Sequence, residues 1–161
     1  LNMRRIAATL AVVGALLISA GSAWADFNDG LAAYDRGDYA TAVLEWRPLA
    51  EQGETSAQAS LGIMYQYGTG VPENDAEAVK WFRKAAEQGN VNGQTGLGLS
   101  YAQGKGVPVN YVRAYMWWSL AKAQGNESGT KGLDIIKEEM NTDQIAEAQA
   151  LASEWWKKHN D

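Results

Sequence analysis

The chain of 161 residues contains no cysteine, a single histidine, no basic block and no low-complexity stretch. Without cysteine, the disulfide-stapled class of secreted domains is excluded, and packing alone must hold the fold. One histidine and no thiol leave no ligand set for a zinc or copper centre. That histidine, His159, sits in the tail Lys157-Lys158-His159-Asn160-Asp161, where a frayed helix end is a simpler reading than a general base. With no run of like positive charges, the chain is also a poor partner for nucleic acid or anionic lipid.

What is present begins with an export signature. Met3, Arg4 and Arg5 precede an uncharged, mostly apolar run over residues 6–18, followed by small residues and the sequence Ser22-Ala23-Trp24-Ala25. A positive start, an apolar middle and small side chains before the cut define a secretory signal peptide, with cleavage expected between Ala25 and Asp26. The apolar run is shorter than the roughly 20 residues of a membrane span. Leu1 and Asn2 precede the expected initiator. Cleavage leaves 136 residues, enough for one domain over 26–161. It removes two of the 14 basic residues and none of the 19 acidic ones, so the remaining net charge is −7. The expected location is the periplasm, or the medium, with no stable membrane span after cleavage. Seven Trp and seven Tyr supply packing area in place of disulfides, each ring burying roughly 150–250 Å².

An internal repeat decides the fold class. Residues 54–89 align without a gap on 90–125, with 14 identities in 36 positions, among them Leu61/Leu97, Gly62/Gly98, Tyr65/Tyr101, Gly68/Gly104, Gly70/Gly106, Pro72/Pro108, Asn74/Asn110 and Trp81/Trp117. A period of this length with helical apolar spacing means stacked helical hairpins, none of which buries its own apolar face. In the first full unit, helix A is expected over residues 56–67, with Leu61, Met64 and Tyr65 on one face. Gly68 and Gly70 stop it. Asn74 caps helix B, with Glu77 completing a capping-box-like pair. Helix B carries a wide apolar stripe through Ala78, Val79, Trp81, Phe82, Ala85 and Ala86. Gly62 lies inside helix A, where it costs about 1 kcal/mol relative to Ala; close approach of a neighbouring helix or ring explains it.

The flanks are weaker relatives. Residues 26–53 read as a shortened hairpin with Gly30, Gly37, Ala42 and Trp46. Residues 126–161 read as a C-terminal capping hairpin: Leu133, Ile135, Ile136 and Met140 fall on one helix, and Thr142 caps another. The loop glycines and proline are gone there, as befits the end of a stack.

At these residues the chain resembles the Sel1-like repeats, a subclass of tetratricopeptide-like hairpins. Leu61-Gly62 with Tyr65, the loop Gly68-x-Gly70-Val71-Pro72, and Ala78 with the run from Trp81 to Gly89 carry the resemblance. It is strong over 54–125, whereas 26–53 is more like an ordinary tetratricopeptide hairpin. The second unit departs from it with Ser119 and Leu120 in place of Arg83 and Lys84. The resemblance implies an all-α, right-handed α-solenoid of about four helix-turn-helix hairpins whose A helices line a concave groove. It places the groove positions on Ser56, Ala59, Ile63, Gln66 and Tyr67, and on Asn92, Thr95, Leu99, Ala102 and Gln103. Tyr65 and Tyr101 fall on buried packing positions. No catalytic residue is shared by such repeats.

The remaining chemistry agrees with a binding role. Gly68-Thr69-Gly70 and Gly104-Lys105-Gly106 lack the preceding strand and following Lys-Ser/Thr of a phosphate loop. Glu138 and Glu139 diverge by about 100° on a helix and do not face each other. No metal, cofactor or catalytic set is expected. The expected function is a non-catalytic, exported protein-protein interaction module, an adaptor or scaffold, holding a protein or peptide partner of unknown identity in the groove. The alternative is an envelope protein that binds peptidoglycan or another polysaccharide, or regulates an enzyme acting on it. Its motive is that one member of each pair Trp117-Trp118 and Trp155-Trp156 should reach the surface, with Trp118 and Trp156 the candidates. Weak homo-association through the stack ends, involving Trp155, Trp156 or the first helix, is also expected.

Overall fold

The computed structural model describes residues 26–160, so the expected signal segment lies outside the described residues. The described residues form α1 Phe27–Asp35, α2 Tyr39–Glu51, α3 Thr55–Tyr67, α4 Asp75–Glu87, α5 Val91–Gln103, α6 Tyr111–Ala123, α7 Glu127–Ile136, a 3₁₀ turn Lys137–Glu139 and α8 Thr142–Asn160. There is no strand among them. Odd-numbered helices from α1 to α7 are the A helices of successive units, and α2, α4 and α6 are the B helices.

Caps set the helix ends. The Asn74 and Asn110 side chains accept from the N–H groups of Glu77 and Arg113 at 3.0 and 2.9 Å. The expected capping box at α4 is only half made, because the Glu77 carboxylate pairs with Lys80 at 3.2 Å instead. Both α3 and α5 end on a left-handed glycine, Gly68 (φ 62°) and Gly104 (φ 70°). At α8 the cap is Asn141 and not Thr142, which lies inside the helix. Asn141 accepts from the Gln144 N–H and donates its own N–H to the Gln144 side chain, both at 2.9 Å, a complete reciprocal box.

Glycine and aromatic positions interlock along the stack. A Cβ placed on Gly30, Gly62 or Gly98 of an A helix would stand 2.3 Å from Trp46, 2.4 Å from Phe82 or 2.6 Å from Trp118 of the B helix in the same unit. The following A helix closes the other side. A Cβ on Gly96 would lie 2.7 Å from Phe82, and one on Gly132 would lie 2.5 Å from Trp118. The two indoles also tie down the A helix beneath them: Trp46 donates to the Phe27 carbonyl at 3.1 Å and Trp118 to the Thr95 carbonyl at 3.2 Å. Each acceptor lies three residues before the glycine that the ring covers.

Polar contacts repeat with the same period. Arg47 donates to the Tyr65 hydroxyl at 2.6 Å and Arg83 to that of Tyr101 at 3.0 Å. Gln88 donates to the buried Gln58 side chain and Gln124 to that of Gln94, both at 2.9 Å. Consecutive A helices α3, α5 and α7 touch one another directly, whereas α4 and α6 do not pack together closely. The stack therefore curves with its A helices inward.

The C-terminal end departs from the expected capping hairpin, because α8 packs along α6 and not against α7. Helix α6 explains this. Tyr115, Met116, Trp117, Trp118 and Leu120 are all buried and leave it apolar around most of its circumference, so it needs cover on its outer side as well. Ile145, Ala148, Leu151, Ala152 and Trp155 of α8 supply that cover, with Trp155 edge-on to Trp117 at 6.1 Å. At the repeat position of Gly62 and Gly98, α7 carries Asp134, which is exposed and 3.9 Å from Lys137. No ring can enter there, so α7 accepts no B helix of its own. Met140 lies beyond α7, and Ile135 points outward at 72% exposure.

The interlock makes a signed prediction. In an ordinary helix interior Gly→Ala stabilises by about 1 kcal/mol, but at Gly62 the added methyl meets Phe82, and overpacking costs about 1–3 kcal/mol. Both Gly62→Ala and the bulkier Gly62→Leu should lower the urea midpoint. A raised midpoint for Gly62→Ala would show that the gap is not needed.

A charge-free concave site

The A helices that face inward hold the site, and their composition differs from that of their partners. Helices α3 and α5 contain no Asp, Glu, Lys or Arg, while α4 alone contains six such residues. A charged side chain on the crowded middle of the inner face would lose hydration without gaining a partner, so charge is absent from α3 and α5, whereas α1 and α7 at the ends carry Asp29, Asp35, Glu127, Lys131 and Asp134.

Two adjoining depressions lie on this face. One, of about 230 Å³, is lined by Ile63, Gln66 and Tyr67 of α3 and by Asn92, Thr95 and Leu99 of α5, with Phe82 and Gly96 beside them and Asn126 and Ser128 from the start of the next unit. The other, of about 170 Å³, is lined by Leu31 and Tyr34 of α1 and by Ser60, Ile63 and Met64 of α3, against Phe27 and Trp46. Ile63 belongs to both.

The structure thus brings together Gln66, Tyr67, Asn92 and Thr95 of the expected groove, with Ile63 and Leu99. It does not bring Ser56, Ala59, Ala102 or Gln103 into either depression. Ala59 is buried, Ser56 is half-buried in the first turn of α3, and Gln103 is exposed at the end of α5. Leu31, Tyr34, Ser60, Asn126 and Ser128 are additions to the expected set. Aligning Gly30 with Gly62 puts Leu31 in register with Ile63, so the repeat itself held the signal for that residue. Asn126 and Ser128 become part of the site only because α7 stacks as a further A helix.

Hydrogen bonding separates structural from available polar groups. The Gln58 amide donates to the Ala50 carbonyl at 3.0 Å and accepts from Gln88. Thr95 donates to the Val91 carbonyl at 2.8 Å, and the Asn126 oxygen caps α7 through the Gly129 N–H at 2.7 Å. Gln66 differs. It is only 6% exposed, yet its amide makes no hydrogen bond to another described residue, and it faces the larger depression. The Asn92 side chain is likewise unbonded within the described residues, and Tyr67 is 65% exposed. The site offers amide groups, two phenols and aliphatic surface, with no acid, base or nucleophile pair. No group of three or more His, Cys, Asp or Glu that could hold a metal occurs among the described residues.

The tryptophans need a correction. Trp118 was expected at the surface, but it is 6% exposed, and Trp117 is buried too, because α7 covers one side of α6 and α8 the other. Of the four, Trp156 is the exposed one, at 44%. It lines a cleft of about 260 Å³ with Trp155, His159, Gln88 and Gln124, where Trp155 and His159 stack at 4.0 Å.

The architecture and this charge-free inner face define a helical-repeat solenoid. The model of the Sel1 repeat matches residues 55–90 and 91–126, so the chain contains two Sel1 repeats. Its structure is similar to that of a protective antigen of uropathogenic Escherichia coli with an SLR fold (TM-score 0.79, 32% identity, 83% of this chain and 29% of that one). It is also similar to a Sel1 repeat protein from Oxalobacter formigenes (TM-score 0.67, 29% identity, 81% of this chain and 56% of that one). Among curated proteins it is 42% identical over 67 residues to an exopolysaccharide production negative regulator of Rhizobium meliloti (strain 1021). The match spans 42% of this chain but a quarter (25%) of the length of that relative.

The contrast between the two glutamines is testable. Gln58→Ala removes a buried amide that bonds both the Ala50 carbonyl and the Gln88 side chain, with an expected loss of about 1–3 kcal/mol in denaturant unfolding. Gln66→Ala removes an amide without a protein partner and should leave the midpoint within about 0.5 kcal/mol. Equal losses for the two would make Gln66 structural.

Proposed function

We propose that the protein is an exported, non-catalytic adaptor that holds a peptide segment of a partner protein on the inner face of the stack, at Gln66, Tyr67, Asn92 and Thr95. The observation that carries this reading is the Gln66 amide, which makes no hydrogen bond to a described residue and opens onto a depression of the inner face. An amide held on a largely buried side chain with no protein partner is free to bond water or a ligand in that depression. Sel1 repeats are protein-protein interaction modules, and the charge-free helices α3 and α5 favour hydrogen-bonded backbone recognition over ion pairing. Export rests on the N-terminal signature. Among the described residues no helix is long and apolar enough to cross a membrane.

A second reading places the protein in control of an envelope polysaccharide. It rests on the similarity to the Rhizobium exopolysaccharide production negative regulator and on exposed Trp156 beside its cleft. Trp118 no longer supports it.

The deciding experiment is an affinity capture from a periplasmic extract, comparing the protein with its Gln66→Ala/Tyr67→Ala variant. One protein captured by the first and lost by the second, with both equally folded by circular dichroism, is the expected result. Equal capture by both would move the site elsewhere. Binding to purified peptidoglycan that falls with Trp156→Ala would favour the polysaccharide reading.

A further inference from the structure

The cleft beside Trp156 has polar groups whose bonding is already half fixed by the stack. Gln88, at the end of α4, donates both amide hydrogens to the protein, one to the Gln58 side chain at 2.9 Å and one to the Lys84 carbonyl at 3.1 Å. Gln124, one unit on at the end of α6, donates to the Gln94 side chain at 2.9 Å and to the Gly89 carbonyl at 3.0 Å. A backbone carbonyl only accepts, so the orientation of each carboxamide is set and its two N–H groups are spent. Each Oε1 is left over, and neither bonds another described residue.

His159 follows the same pattern. Its Nδ1 lies 2.7 Å from the Trp155 carbonyl and must donate to it, which leaves Nε2 as the acceptor of the neutral ring. Gln88, Gln124 and His159 all line the cleft, together with the indoles of Trp155 and Trp156. The helix that brings the aromatic groups is α8, which lies along α6. Only at this end of the stack do the repeated glutamines meet exposed aromatic surface.

Charge and donor count select the ligand. The lining residues include no carboxylate, and a second cleft of about 360 Å³ that Trp156 also lines adds Lys157 with Ser119 and Ser153. A cation would meet no counter-charge there, and an anion would face the acceptor lone pairs. A peptide backbone brings a carbonyl for each N–H, and those carbonyls would need donors that both glutamines have already used. Hydroxyl groups each donate and rotate to suit. A sugar ring carries several of them around a C–H face that lies flat on the negative face of an indole. Trp156 is 44% exposed and belongs to both clefts, so a chain of such rings has room to continue past it.

We propose that this cleft is a saccharide subsite, in which an uncharged sugar ring stacks on Trp156 and its hydroxyls donate to Gln88, Gln124 and His159. This rests on the polysaccharide reading above and adds the charge class of the glycan and the groups that hold it.

The test is isothermal titration of the purified protein with four oligosaccharides of equal length. Two are neutral, built from glucose and from N-acetylglucosamine; one is cationic, built from glucosamine; one is anionic, built from galacturonate. At least one neutral probe should bind at least about tenfold more tightly than both charged ones. Trp156→Ala should weaken that binding by at least about tenfold. His159→Phe, which keeps a ring against Trp155 but removes the acceptor, should weaken it about fivefold. Both positions are exposed, so the variants should remain folded. Tighter binding of a charged probe, an affinity untouched by either variant, or no binding of any probe would overturn the subsite. If no probe binds while capture of purified peptidoglycan still falls with Trp156→Ala, the subsite fails and the polysaccharide reading stands. If that capture is also insensitive to Trp156→Ala, both fail.

Discussion

Each B helix delivers one aromatic ring into a gap that glycines on the A helices leave open, and the stacking of this protein depends on that fit. Phe82 sits between Gly62 and Gly96, and Trp118 between Gly98 and Gly132. A helical glycine costs about 1 kcal/mol, while burying a phenylalanine side chain returns about 1.5–3 kcal/mol. Two glycines and one ring therefore come close to balance. What the arrangement supplies is register, because a ring that enters glycine gaps on two successive A helices fixes the offset between units. The Arg-Tyr and Gln-Gln hydrogen bonds repeat the same offset at the surface and in the interior.

The inner face follows from this geometry. Rings of the B helices approach the A helices from one side, so the opposite side of each A helix is left for solvent or a partner. That side carries no charge on α3 or α5 and one aliphatic residue per unit. Gln58 and Gln94 turn into the stack and hold it, whereas Gln66 opens toward the depression. Residues of one chemical type are thus divided between structure and recognition by their place on the helix.

Termination obeys the same rule. Asp134 replaces the glycine that would admit a further ring, so the series of A/B pairs stops at α7. The final helix is left to solve another problem, the apolar outer side of α6, and in doing so buries Trp117. The end of the stack is therefore asymmetric: α7 adds Asn126 and Ser128 to the concave site, and α8 closes the outer surface.

Repeat period, the glycines that end α3 and α5 and the need for close approach at Gly62 were legible in the sequence, because each is local or recurs at fixed spacing. The resemblance to the Sel1-like repeats implied groove positions at Gln66, Tyr67, Asn92 and Thr95. Which glutamine would bond inward depended on neighbours up to one repeat away, and no local pattern encodes those contacts; Leu31 was legible only through the alignment of Gly30 with Gly62. The cap at Asn141 in place of Thr142 turned on which side chain reached the Gln144 N–H, a matter of backbone position. Trp118 was misplaced for a related reason. Adjacent helical residues diverge by about 100°, so periodicity called for one buried and one exposed tryptophan, but α7 and α8 cover α6 from two sides. The sequence by itself determined the units and their order. Tertiary structure alone decided what covers each face, because burial is a property of the neighbours that arrive and not of the helix that receives them.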